Sequence, residues 1–158
     1  MTAAGIPDWL EDGVAAAGLA GPWATREDVG GMPVLGGAYL LGLRLDRELP
    51  IALPRSAPGR LPPGWYLYAG SARGSGGLRG RLERHFRPGK KPHWHIDRLT
   101  AAAAAMAALA VAGGEECEVL GKLLDRPRFA VALPGFGSTD CRRCESHLLA
   151  AVRCLTHS

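Results

Sequence analysis

Apolar positions along the chain come in short bursts, and the spacing within each burst sets the expected element. Ala38 to Leu45 is dominated by apolar and aromatic residues and alternates at Leu43-Arg44-Leu45-Asp46, which predicts a strand. Trp65 to Ala69, bounded by Gly64 and Gly70, predicts a second strand. The proline-rich stretch between them, Pro50 to Pro63, reads as a loop around a short strand at Ile51 to Leu53. Paired antiparallel, the two main strands would put Tyr66 and Tyr68 on one face. Gly70 to Gly77 is a glycine-serine loop, and Leu78 to Phe86 predicts a helix on which Arg81 and His85, four apart, share a face. Pro92 to Ala112 reads as a further helix or helix pair, with Trp94, Leu99 and Met106 as core contacts and Gly113-Gly114 as its stop.

The remaining segments complete an α+β pattern. Glu115 to Leu124 predicts a helix, Pro127 to Leu133 a strand, and Cys141 to Leu155 a closing helix. Pro7 to Ala17 suits a short helix with Trp9, Leu10 and Val14 on one face, but Gly18 to Pro33 is turn-rich. Residues 1–33 are therefore expected to form a partly ordered extension without chemistry. Residues 34–155 are expected to form one small domain, a short, mainly antiparallel sheet of about three strands flanked by helices.

Composition narrows the class. The chain has 158 residues and 47% hydrophobic content, enough for one domain with a real core and too much for wholesale disorder. The longest apolar run, Ala101 to Ala112, falls short of the roughly 20 residues a membrane span needs. No basic segment followed by an apolar stretch opens the chain, so no secretory signal is expected. Four cysteines do not make a disulfide scaffold, and a reducing, cytoplasmic setting is the expectation.

The net charge of +4 conceals a local excess. Between Arg60 and Arg98 nine basic residues face only Glu83 and Asp97, a window of +7 on a body of −3. A segment of that kind suits a polyanion, nucleic acid above all, although a solvated arginine-rich face has the same composition.

Gly37-Ala38-Tyr39 on the first strand, Tyr68-Ala69-Gly70 on the second, and Gly77-Leu-Arg-Gly-Arg-Leu-Glu-Arg-His-Phe86 after them form a constellation. Taken singly, two strand tyrosines pack a hairpin and Arg81 lies on a surface. Together, and in this order, they resemble the GIY-YIG nuclease superfamily. The stretch from about Gly36 to Val152 is more closely similar to a bacterial and archaeal branch usually grouped with it. That closer likeness rests on Tyr68-Ala-Gly-Ser-Ala72, Gly76-Gly77-Leu78, Arg84-His85, His93-Trp-His-Ile-Asp97, Glu116-Cys117, and Gly135-Phe-Gly-Ser-Thr-Asp-Cys141 through Ser146-His147-Leu148. The spacing from Tyr39 to Tyr68 and the glycine loop are both longer than in most members.

The resemblance implies an endonuclease acting on DNA, with RNA as the alternative, and using one divalent metal ion, Mg²⁺ or Mn²⁺. Tyr39 would be the general base, Tyr68 would support the water or phosphate, Arg81 would clamp the scissile phosphate, and His85 would assist. Glu116 would hold the metal, with Glu115 and Glu118 as substitutes; a helix N-terminal acid beside the macrodipole is the plainer reading of the same residue. Gly70 and Ser71 open a loop whose backbone N–H groups suit a phosphate. Arg79, Arg84, His93 and His95 complete the substrate-binding candidates.

Two further motifs carry alternatives. His93 and Asp97 would share a helical face, as a tautomer-fixing or metal-holding pair or as packing around Trp94. Cys141, Cys144 and His147 form C-x2-C-x2-H, and with Cys117 would make a zinc tetrad; buried or redox-capable thiols are the other reading. Against the nuclease stand a non-catalytic nucleic-acid-binding module and a small zinc-binding interaction domain. No separate DNA-reading element is evident, which leaves room for a targeting protein partner.

Overall fold

Eight of the nine residues of Gly37–Leu45 are buried, which marks this strand as the centre of the molecule. The computed structural model describes residues 4–53, 58–91, 95–136 and 145–153. Among them, in chain order, are α1 (Asp8–Ala16), β1 (Gly37–Leu45), β2 (Leu49–Ile51), β3 (Gly59–Leu61), β4 (Gly64–Ala72), α2 (Gly77–Phe86), α3 (Ile96–Ala102), β5 (Ala105–Ala112), α4 (Glu116–Leu124), β6 (Phe129–Val131) and β7 (Leu148–Ala151). The main sheet has five antiparallel strands in the order β5-β1-β4-β7-β6, and β2 and β3 form a separate two-stranded ribbon. The α+β class holds, but the expected sheet of about three strands is too small.

Helices cover both faces of the sheet. On one side Tyr39, Leu41, Leu43 and Leu45 of β1 and Tyr66 of β4 pack with Leu78 and Leu82 of α2 and Ile96 and Leu99 of α3. On the other, Ala38, Leu40, Leu67 and Ala69 pack with Leu10 and Val14 of α1 and Val119, Leu120 and Leu123 of α4. A strand covered on both faces loses the apolar–polar alternation that betrays a half-buried one. This corrects two expected helices. Within the run predicted to be helical from Pro92 to Ala112, only Ile96–Ala102 is a helix among the described residues; Ala105–Ala112 is β5, paired along β1. Within the predicted closing helix, Leu148–Ala151 is β7, between β4 and β6.

The segment expected to be an appendage is part of the core. Ile6, Leu10, Val14 and Leu19 are buried against the sheet. Ala24 exchanges two 2.8 Å backbone hydrogen bonds with Ala108, along the outer edge of β5.

The carbonyls of Met32, Pro33, Leu35 and Gly36 are pinned. Met32 O accepts from Arg79 Nε at 2.8 Å, and Pro33 O and Leu35 O accept the N–H groups of Arg79 and Leu78 at 3.0 Å. Gly36 O accepts from Gly113 N at 3.0 Å. Gly77 lets α2 dock there: its φ is +59°, and a Cβ on it would lie 1.6 Å from Val34 O.

Candidate active site

The start of β1, the end of β4, the end of β5 and the chain just before β7 all meet at one end of the sheet. Tyr39 stands opposite Gly70 in the β1–β4 register. The tyrosine ring lies over that glycine, and a Cβ on Gly70 would sit 2.2 Å from Tyr39 Oη. The two tripeptides are thus one steric unit, in which the glycine of the second makes room for the tyrosine of the first. Gly37 has a similar task, since a Cβ there would meet Val111 O at 2.5 Å where β5 closes on β1.

Tyr68 shares the face of Tyr39, their ring centroids 6.5 Å apart. From α2, His85 enters the same space beside the buried Leu78 and Leu82. Its Nε2 lies 2.6 Å from Tyr39 Oη, a buried hydrogen bond linking β1 to α2. Burial lowers the His85 pKa to about 3; Arg81, Lys90 and Arg84 lower it too, against a raising effect of Asp97. Burial pushes Tyr39 well above the ordinary phenol range, and the neighbouring Tyr68 adds to this. The phenol therefore keeps its proton and the imidazole is neutral; with the imidazole proton on Nδ1, the phenol is the donor.

Two opposite charges act on both tyrosines. Arg81 favours their phenolate forms and Glu116 opposes them, so both side chains lie within electrostatic reach of the pair. Glu116 opens α4, its side chain 24% exposed, with Oε2 3.9 Å from His147 Nδ1. His147 is itself buried, and its backbone carbonyl accepts from Ala69 N at 3.0 Å. Tyr39, Tyr68 and His85 thus come together from β1, β4 and α2, with Arg81 of α2 and Glu116 of α4 in electrostatic reach of the two tyrosines.

Other candidates have different tasks. Gly70 and Ser71 belong to β4, paired with Tyr39 and Ala38, so the expected glycine loop narrows to Arg73–Gly76. Arg79 is held by Met32 O. Arg84 makes a two-pronged bond to Asp97, at 2.8 and 3.0 Å, and the Asp97 side chain is only 1% exposed. That pair ties α2 to α3 and fixes the helix that carries His85. His95 precedes α3, its ring 5.6 Å from Phe136, and burial lowers its pKa.

The expected partner of Asp97, His93, lies outside the described residues, as do Cys141 and Cys144 of the proposed zinc tetrad. Cys117 follows Glu116 on α4. Among the described residues no three His, Cys, Asp or Glu side chains gather as a metal-binding group.

Two contacts of the cluster escaped sequence reading, although both residues lie in motifs singled out above. Phe136 packs edge-on against Tyr68, 6.2 Å between centroids, and its position between two glycines was the available signal. The approach of His147 to Glu116 joins residues 31 apart and left no local signal.

The His85 shift has a consequence for stability. Its folded pKa, near 3, lies below the unfolded value of about 6.5. Between those values the unfolded chain binds a proton that the native state refuses. The contribution is complete above about pH 6.5 and lost as pH falls toward 3. The urea midpoint of the parent is expected to fall more steeply between about pH 6 and 4 than that of His85→Gln. Equal slopes would assign the acid sensitivity to other groups.

Comparison with known proteins finds one family model, described as domain of unknown function DUF123, matching residues 38–157. No curated protein and no solved structure matches the chain.

Proposed function

Because the chain belongs to the DUF123 family, its activity must be read from its own side chains, and we propose that it hydrolyses phosphodiester bonds of nucleic acid, DNA foremost, as a metal-dependent endonuclease of GIY-YIG type. The observation that carries this is the 2.6 Å Tyr39–His85 hydrogen bond in a cluster that also holds Arg81 and Glu116. A buried phenol is a poor resting base. It becomes a good one when its proton has somewhere to go.

Tyr39 Oη takes a proton from the attacking water as it passes its own to His85 Nε2. His85 is neutral, so taking up that proton makes it an imidazolium. Its affinity for that proton rises when an anionic phosphodiester arrives beside Arg81, because nearby negative charge favours the imidazolium. Arg81 holds a phosphate oxygen and stabilises the charge that grows there. Tyr68, partly exposed on the same face, hydrogen-bonds the phosphate or the water.

The donor set suits a hard cation. One partly exposed carboxylate, Glu116, offers the oxygen ligand that Mg²⁺ or Mn²⁺ takes while keeping most of its waters. Bound there, such an ion would act as a Lewis acid for the phosphate oxygens. The +7 segment that contains α2 supplies the long-range attraction for the polyanion.

The test is cleavage of labelled duplex, single-stranded, flap and branched DNA, and of RNA, with Mg²⁺, Mn²⁺ or EDTA. Parent protein should give metal-dependent products. Arg81→Ala should reduce them by about 10²–10³-fold with an unchanged melting curve. Binding that weakens with salt but never leads to cleavage would make the chain a nucleic-acid-binding module instead.

A further inference from the structure

The other end of the sheet holds a cavity of about 440 Å³, lined by Pro7, Asp8, Trp9, Arg44, Trp65 and Arg153. Its size lies within the range of small-molecule sites, about 300–1,000 Å³. Along β1, Arg44 lies five residues from Tyr39, about 17 Å at roughly 3.4 Å per residue.

The lining is unusual in composition and firmly built. Arg44 and Trp65 face each other in the β1–β4 register, and Trp65 in turn pairs with Ala151 of β7, two residues before Arg153. Trp9 comes from α1. Arg128 holds it, donating to the Trp9 carbonyl while its guanidinium lies 5.8 Å from the indole centroid. Arg44 lines the cavity and pairs with Asp46 through Nε at 3.1 Å, so its two terminal nitrogens are not used by that contact. Arg153 is exposed and has no ion-pair partner among the described residues.

Two half-buried indoles beside two guanidinium groups match a ligand that is flat and aromatic at one end and anionic at the other. We propose that this cavity is a second ligand site, taking a nucleotide whose base packs on Trp9 and Trp65 and whose phosphate is held by Arg44 and Arg153. Indole faces stack on any base, and guanidinium groups hold phosphate oxygens in a fork. An acidic peptide would engage the arginines but leave the indoles wet. Trp9 lies outside residues 38–157, so half of the aromatic surface comes from a segment beyond the family-matched region. The site is independent of the phosphodiesterase reading and stands or falls separately.

Titration of the full chain with AMP, adenosine and a short acidic peptide, followed by tryptophan fluorescence, tests it. AMP should quench saturably, and adenosine should bind about a hundredfold more weakly, the effect of losing a charge-assisted contact to each arginine. Arg153→Ala, at an exposed position past β7, should weaken AMP about tenfold, part of the way to adenosine, and leave adenosine unchanged. Trp65→Leu, checked for fold by circular dichroism, should remove most of the quenching. Arg81→Ala should change none of these values. Absence of saturable AMP quenching, equal affinity for AMP and adenosine, indifference to both variants, or peptide binding as tight as AMP would each overturn the assignment.

Discussion

A chain beginning at Val34 is expected not to fold, although it contains the whole family-matched region. Ile6, Leu10, Val14 and Leu19 are each at most 5% exposed and cover one face of the sheet. Burying such a side chain is worth about 1.5–3 kcal/mol, so the four together contribute roughly 6–12 kcal/mol. That is comparable with the whole stability of a typical domain, about 5–15 kcal/mol. The truncation also uncovers Ala38, Leu40 and Leu67 and strips Ala24 from the edge of β5. An uncharged, alanine-rich edge strand is then open to pairing with other chains. The truncated protein should be aggregated or bind a hydrophobic dye, without a cooperative urea transition. A sharp transition with native near-ultraviolet dichroism would show that residues 1–33 are dispensable after all.

Gly70→Ala should disable the site while leaving every proposed catalytic side chain in the sequence. The new methyl would lie 2.2 Å from Oη of the buried Tyr39, so the ring has to shift. Expelling the ring breaks the bond to His85 and leaves a buried imidazole nitrogen without its donor. Overpacking of about 1–3 kcal/mol and a lost buried hydrogen bond of similar size give a destabilisation on the order of 4 kcal/mol. Cleavage should fall by at least about 10²-fold, as for loss of a general base. Gly74→Ala is the matched control, because nothing lies within 4 Å of a Cβ there. If both variants behave like the parent, the glycine is not what positions Tyr39.

The hairpin of β1 and β4, the arginine helix and α4 were legible because each has a local signature. Leu43-Arg44-Leu45-Asp46 alternates, Gly64 and Gly70 bound a strand, and Leu78 and Leu82 set a helical face. The strands β5 and β7 were not legible. Met106, Ala108 and Ala110 face one layer while Ala107, Leu109 and Val111 face the other, so every position is apolar and alanine suggests a helix. Leu148 and Leu149 likewise point to opposite layers. The pairing of β7 with β4, about 80 residues away in sequence, decides its state. The site repeats the lesson. Tyr39, Tyr68, Arg81 and His85 could be gathered from motif order, whereas Arg84 has its guanidinium tied to Asp97 and Arg79 to Met32 O, contacts between distant segments.

The pinned carbonyls of Pro33 and Leu35 bear on how strongly salt should govern any encounter with a polyanion. A helix opening onto solvent can grip a phosphate with its own amide dipoles, an attraction that releases few condensed cations. Here the first amides of α2 already face protein oxygens. Attraction must then come from guanidinium and ammonium side chains, and each phosphate they neutralise returns counterions to bulk, with a slope of about −0.9 per contact on duplex DNA. Occupancy would follow the ionic strength of the compartment steeply, so that modest dilution of the surrounding electrolyte acts as a switch on substrate residence.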